Sequence, residues 1–396
     1  MIPAVEVGEA RVFLGDCREI LRGLADNSVD SVVTDPPYEL GFMGKKWDST
    51  GIAYDVTVWE ECLRVLKPGG HILAFGGPRT FHRMAVAIED AGFEIRDSIA
   101  WISSKTFPKS LNVRKAIDKA GVDGSAWEGW GTGLKNVVEP IVMGRKPLVG
   151  TVAANVLEHG VGGLNIDASR VAGNVPSVPQ PKTGGGIFSG KGGRNGELSS
   201  APSGRWPANV ILDEYSAGLL DEQSGVLTSG ALKPWVNGSV ASKTVASFSA
   251  GLDGKTRDYT ADKSSGGASR FFYCAKASKR DRNEGLDGLE PRNAYKKGGV
   301  GGTGGKRSVS EAENATPKQN FHPTVKPTTL MRYLIKLVTP PGGTVLDPFT
   351  GSGSTGKAAL LDGYKFVGAE LTEEYLPIIE GRLTWAQENT DTGSLF

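Results

Sequence analysis

The chain has 396 residues, with 45 Lys and Arg against 44 Asp and Glu, for a formal net charge of +1. That length can bury a substantial core, as one large domain with an insertion or as two domains, and no stretch approaches the length of a membrane span. Four histidines (His71, His82, His159, His322) and three cysteines (Cys17, Cys62, Cys274) are scattered without metal-ligand spacing. The expectation is a protein with no metal site, and unpaired thiols with no signal-peptide pattern point to the cytoplasm.

In chain order, Ala10 to Gly15 reads as a strand closed by Asp16, and Cys17 to Leu24 as a short helix. Val29 to Thr34 (VDSVVT) reads as a buried strand carrying one aspartate, and it runs into Asp35-Pro36-Pro37-Tyr38. Tyr54 to Leu66 is an amphipathic helix stopped by Lys67-Pro68-Gly69-Gly70. His71 to Phe75 is a strand, Arg79 to Ala91 a helix, and Phe93 to Ile102 and Val137 to Met143 are strands. Near the end, Thr328 to Leu337 is helical. A strand then ends at Asp347, a helical stretch covers Lys357 to Gly363, and Tyr364 to Ala369 leads into Glu370. Strands alternating with helices predict a mainly parallel α/β sheet. Residues 150–320 differ, being rich in Gly, Ser, Asn and Pro with poor periodicity. Gly184 to Gly196, Lys296 to Gly305 and Lys306 to Pro317 read as mobile loops, with ordered islands at Leu164 to Ile166, Trp206 to Leu212 and Phe271 to Cys274.

Two motifs carry chemistry. Asp35-Pro36-Pro37-Tyr38 makes a stiff polar ledge at a strand end, suited to a planar ring bearing an NH2 group. The carboxylate accepts one amine hydrogen, a backbone carbonyl fixed by the prolines accepts the other, and Tyr38 stacks on the ring. A plain Pro-Pro turn with a capping aspartate remains open on these four residues alone. About 310 residues downstream, Asp347-Pro348-Phe349-Thr350-Gly351-Ser352-Gly353-Ser354-Thr355-Gly356 follows a strand and precedes a helix. It matches the GxGxxG dinucleotide pattern at Gly351, Gly353 and Gly356, although Asp347 and three further residues separate the strand from the first glycine. It also nearly matches a phosphate loop, but Ala358 stands where a magnesium-binding hydroxyl is required. An S-adenosylmethionine loop and an ordinary glycine-rich turn are the other readings, and Glu370 after the next strand suits ribose hydroxyls.

Together the two motifs resemble the amino-methylating DNA methyltransferases. The order, catalytic half first and cofactor half last, resembles their permuted beta subclass. His322-Pro323-Thr324-Val325-Lys326-Pro327 resembles the segment that opens the cofactor half there. The resemblance covers roughly residues 10–145 and 320–385. It implies a Rossmann-like S-adenosylmethionine-dependent methyltransferase sheet, circularly permuted, with a glycine-rich target-recognition insertion. The implied division is 1–149 for the catalytic half, 150–320 for target recognition and 321–396 for the cofactor half. Asp35, Pro36, Pro37 and Tyr38 become the catalytic set. Asp347, Phe349, Gly351 and Gly353 would hold the methionine part, Glu370 the ribose and Asp16 the adenine amine, with Thr324 and Lys326 at the methionine carboxylate. Two plainer readings stay open: a helix cap for Asp16 and a helix-start lysine for Lys326. Phe42, Met43 and Trp47 either line a base pocket or pack in the core.

The implied reaction is methylation of adenine N6 in double-stranded DNA, with the base flipped out of the duplex. An aspartate opening the tetrapeptide goes mostly with adenine in that family. Cytosine N4 is the alternative, and an RNA or protein-amide substrate a more distant one. Carbon-5 methylation is excluded, because it needs a cysteine nucleophile, typically after proline, and none of the three cysteines follows one. Between Lys255 and Arg307, 13 Lys and Arg face 6 Asp and Glu, a local +7 in a chain of net +1. Within that window Arg270, Lys276, Lys279 and Arg280 flank the aromatic run Phe271-Phe272-Tyr273, a pattern for phosphate contact and stacking or else for a buried strand beside a charged turn. A homodimer and a cognate restriction nuclease are compatible partners.

Overall fold

The computed structural model describes residues 1–41, 46–104, 108, 110–172, 204–228, 265–276, 278–292 and 318–390. The loops expected at 184–196, 296–305 and 306–317 lie outside the described residues, as do Phe42, Met43 and the Trp47 side chain.

The chain opens with β1 (Val5–Val7), β2 (Ala10–Leu14) and α1 (Cys17–Arg22), whose N-terminus is capped by the Asp16 carboxylate accepting from the Arg18 amide. Next come β3 (Val29–Thr34), α2 (Val56–Val65), β4 (Leu66–Phe75), α3 (Phe81–Asp90), β5 (Glu94–Ile102), α4 (Val113–Lys119), β6 (Val138–Arg145) and α5 (Val152–His159). The middle of the chain adds β7 (Val210–Asp213), α6 (Glu214–Ser224), β8 (Leu227–Thr228), β9 (Ser265–Gly266), β10 (Tyr273–Ala275) and α7 (Lys279–Asn283). It closes with α8 (Thr328–Val338), β11 (Thr344–Asp347), α9 (Ser354–Leu361), β12 (Lys365–Glu370) and α10 (Leu376–Glu388).

Ten strands form one sheet in the order β1-β2-β12-β11-β3-β4-β6-β5-β7-β10. All neighbours pair in parallel except β1 with β2 and β6 with both β4 and β5. The expected parallel α/β sheet is therefore present, and two of the islands in the middle stretch, β7 and β10, extend its far edge. The third island is held by the Asn165 amide donating to the Leu337 carbonyl, 2.9 Å away.

Side chains alternate across the sheet as the period of two requires. Val33, Leu73, Phe75 and Val345 face a core shared with α8, α9 and α10. Val32, Ile72, Ala74 and Leu346 face a second core shared with α1, α2 and α3. All six residues of β3 are buried, as expected of a parallel strand covered on both faces. Its aspartate, Asp30, accepts from Lys67 Nζ at 2.6 Å and from the Thr344 amide at 2.7 Å, so the buried charge is paired.

The crossover from β3 through α2 covers one face and the crossover from β11 through α9 the other. The crevice between β3 and β11 is thus a topological switch point, where α/β sheets place their ligands. One boundary departs from the sequence reading. Lys67 to Gly70 does not separate helix from strand, because β4 already begins at Leu66, which pairs with Val29. A register shift between Val29 and Ser31 and the positive φ of Gly69 (79°) absorb the irregularity that Pro68 introduces.

Candidate active site

A cavity of about 450 Å³ opens at the C-terminal ends of β3, β11 and β12. Asp35, Pro36, Pro37 and Tyr38 form one wall, Asp347 to Ser352 another, and Asn136 to Glu139 a third. Asp16, Thr324, Lys326 and Glu370 line it as well. Residues about 310 positions apart meet because β3 and β11 are neighbours: Thr34 Oγ1 donates to Asp347 Oδ1 at 2.6 Å. Of the twelve catalytic and cofactor candidates, eleven line this one cavity. The twelfth, Gly353, is not among the lining residues; it has φ 73°, and a β-carbon there would meet Ile379.

At the catalytic wall, Lys326 Nζ donates to Asp35 Oδ2 at 2.6 Å and to Tyr38 Oη at 3.1 Å, and stands 3.3 Å from Glu139 Oε2. Tyr38 Oη donates to the same Glu139 oxygen at 2.7 Å. Asp35 Oδ1 is buried and has no hydrogen-bond partner among the described residues. Burial pushes the Asp35 carboxyl above the usual carboxylate range; Lys326 opposes that and Glu139 adds to it. Burial pulls the Lys326 ammonium down, but Asp35 and Glu139 together outweigh it and leave it above its ordinary value. Lys326 therefore points at the tetrapeptide in this structure.

At the other wall the Asp347 carboxylate is fully engaged. It accepts from Thr34, from Thr355 Oγ1 at 2.6 Å and from the Phe349 amide at 3.0 Å, and burial raises its carboxyl to about 6. Glu370 accepts from the Gly351 amide at 2.7 Å and the Thr372 amide at 2.8 Å, and burial lifts it to about 7. Gly351 has φ 56°, and a β-carbon there would come within 3.1 Å of His322 Nε2. His322 is held by a 2.5 Å contact between its Nδ1 and the Thr324 carbonyl. Burial lowers its pKa to about 3, so the ring is neutral. Asp16 is both the cap of α1 and a cavity residue, and its carboxylate also binds the Arg18 guanidinium at 2.6 Å.

The four basic candidates divide. Lys276 directly follows β10 and Arg280 lies on α7, at the end of the sheet where the cavity opens; the Arg280 side chain is 86% exposed and 3.3 Å from Glu284. The Lys279 side chain lies outside the described residues. Arg270 precedes β10, at its opposite end, donates to the Gly266 and Gly267 carbonyls at 2.6 Å and stacks on Phe271. Tyr273 follows the core reading, stacked on Tyr333 of α8 with ring centres 3.9 Å apart. Helix α7 is fastened to the cavity wall. Asp281 and Glu284 each bind the fully buried Lys357 at 2.8 Å, and Arg282 donates to the His322 carbonyl at 2.5 Å. Sequence reasoning missed Glu139. The signal was a lone carboxylate inside the apolar strand VVEPIVM, with a proline after it.

A doubly wound sheet whose switch-point crevice joins an acid-bearing Pro-Pro ledge to a glycine loop defines the class of Rossmann-like methyltransferases. The chain belongs to the DNA methylase family of adenine-N6 and cytosine-N4 type, whose family model matches residues 29–381. That family is S-adenosylmethionine-dependent. The Type II methyltransferase M.HindIII of Haemophilus influenzae is 32% identical over 110 residues, 26% of this chain and 36% of that protein. The DNA adenine methyltransferase YhdJ of Escherichia coli is 47% identical over 55 residues, 14% of this chain and 19% of that protein. The matches thus span about a fifth to about a third of these relatives' length. Among solved structures, the chain is similar to PvuII DNA methyltransferase (cytosine-N4-specific) with a TM-score of 0.47 and 14% identity, covering 96% of this chain and 88% of that one. Among the described residues no helix is long and apolar enough to cross a membrane.

Proposed function

We propose that this protein is a DNA methyltransferase that moves a methyl group from S-adenosylmethionine to the exocyclic N6 of an adenine flipped out of double-stranded DNA. The observation that carries this reading is that Asp35, whose Oδ1 is a buried carboxylate oxygen without a partner among the described residues, lines the same cavity as the glycine loop. An unsatisfied buried acceptor is costly, and a substrate N–H removes that cost. The amine of adenine is a weak nucleophile because its lone pair is delocalised into the ring. Asp35 Oδ1 and the Pro36 carbonyl accept its two hydrogens, turn the nitrogen toward tetrahedral geometry and localise the lone pair. Tyr38 stacks on the ring. After transfer the nitrogen gives up one proton, to Asp35 or to water.

The cofactor's fit rests on the cavity itself. The open approach at Gly351, the acids Glu370 and Asp16, and the turn at Thr324 suit a nucleoside joined to an amino-acid tail. When bound, S-adenosylmethionine supplies an electrophilic methyl group on a sulfonium. Residues 1–149 and 321–396 act as the two halves of one catalytic domain, and 150–320 as target recognition, with Lys276, Lys279 and Arg280 toward phosphates. Adenine is favoured by the aspartate that opens the tetrapeptide and by the name of the relative YhdJ.

The test is transfer from isotope-labelled S-adenosylmethionine to unmethylated genomic DNA, read by nucleoside mass spectrometry. A 6-methyladenine product is expected, absent with Asp35→Ala, which removes the side-chain acceptor altogether. A 4-methylcytosine product would overturn the base assignment, and no labelled nucleoside would overturn the activity.

A further inference from the structure

We propose that Glu139 is a positioning residue of the active site, which holds Tyr38 and Lys326 so that Asp35 presents one free oxygen to the target amine. The inference rests on the methyltransferase reading above.

Three separate segments meet at Glu139: the ledge after β3, the start of β6, and the stretch before α8. One oxygen of Glu139 takes the Tyr38 hydroxyl at 2.7 Å and stands 3.3 Å from the Lys326 ammonium. Lys326, only 7% exposed, is thereby shared between two carboxylates, and it binds only Oδ2 of Asp35. That contact holds the Asp35 carboxylate by one oxygen and leaves Oδ1 buried without a partner among the described residues. Aromatic faces complete the cage, with Nζ 4.9 Å from the centre of the Phe75 ring and 5.3 Å from that of Tyr38.

The charge count gives the arrangement a second purpose. Asp35, Glu139 and Lys326 sum to −1, which complements a cationic methyl donor and the positive charge that grows on the amine nitrogen. Without Glu139 the remaining two, Asp35 and Lys326, make a neutral pair. Lys326 could then leave Asp35 for any other anion in the cavity, and Tyr38 would lose the acceptor that sets its ring. Removing one member of a buried polar network leaves its partners incompletely satisfied, which is costly.

Four groups face the Asp35 carboxyl from the elements packed around it: Lys326, Glu139, Tyr38 and, from β11, Asp347. Of these, Glu139 raises the proton affinity of Asp35 and Lys326 lowers it. Glu139→Gln removes the raising influence, so the acid limb of the pH–rate profile moves to lower pH. In the DNA transfer assay, the expected result for Glu139→Gln is a fall in kcat of up to roughly 100-fold, the scale for a misplacement of about 1 Å. The acid limb shifts down and S-adenosylmethionine binding, read by calorimetry, is retained. Glu139→Asp keeps the charge but not the reach, and is expected to lower kcat while the acid limb stays near the wild-type position. An acid limb unmoved by Glu139→Gln would overturn the inference, because a merely structural glutamate would change stability and leave the profile alone. If Glu139→Gln does not fold, Glu139→Asp decides, and wild-type kcat there overturns it. Failure of the wild-type protein to methylate DNA would instead overturn the underlying reading, and this inference with it.

Discussion

At the scale of single residues, three of the cavity's carboxylates, Asp35, Asp347 and Glu370, are buried against their preference for water. Asp347 is 2% exposed, and burial raises its carboxyl from 3.8 to about 6 even with three donors bound. A folded-state pKa raised above the unfolded value means stability present at low pH and lost as pH rises through the folded value. The cost of the Asp347 charge is therefore absent below about pH 4 and complete above about pH 6, where a shift of this size corresponds to roughly 3 kcal/mol. Asp347→Asn keeps an oxygen for the Phe349 amide and the Thr34 hydroxyl, and turns an amide toward Thr355, whose hydroxyl can accept. The variant is expected to melt higher than the wild type at pH 7 and at the same temperature near pH 4, measured by calorimetry across that range. Equal melting temperatures at both pH values would show that the donors already offset the burial of the charge.

At the scale of elements, the sheet was largely legible in the sequence, because buried strands announce themselves by composition. Val29 to Thr34 was bounded to the residue, since both its faces are covered and its end is marked by Asp35-Pro36. Helix α10 was not legible, and neither was the strand start at Leu66. Helix α10 buries Ile378, Ile379, Leu383 and Ala386 but also the charged Arg382, which blurs its pattern. Leu66 joins β4 only through its pairing with Val29. The same divide runs through the site. Asp35 and the glycine loop were legible because a turn chemistry sits next to a strand. Glu139 was not, because it lies 101 residues from Tyr38 and only the placement of β6 brings them together. Nor could the sequence show that Lys326 turns toward Asp35. The loop element yields its own prediction. At φ 56°, Gly351 occupies the left-handed region, which costs other residues roughly 1–2 kcal/mol, and a β-carbon would press on the His322 ring. Gly351→Ala is expected to weaken S-adenosylmethionine binding in a calorimetric titration, with only a modest fall in melting temperature. Unaltered affinity would place the cofactor away from this turn.

At the scale of the whole molecule, the parallel strands give the sheet a working end and a structural end. The cavity opens where β3, β11 and β12 finish, and β10 finishes at that end too. Lys276 and Arg280 come after β10, while Arg270 comes before it, with its Nη1 donating to two backbone carbonyls. Cations that neutralise phosphates release counterions, so each one lost lowers the slope of log affinity against log salt by roughly 0.9 for duplex DNA. Cations that only hold loops together leave the slope unchanged. Replacing Lys276, Lys279 and Arg280 with Gln is therefore expected to weaken DNA binding and lower the slope by up to about 3, read by fluorescence anisotropy at several salt concentrations. Replacing Arg270 with Gln should lower the melting temperature instead and keep the wild-type slope, because what is lost is the tie to Gly266 and Gly267. The opposite pattern, a slope that responds to Arg270 and ignores the other three, would place the DNA at the wrong end of the sheet for a base to reach Asp35.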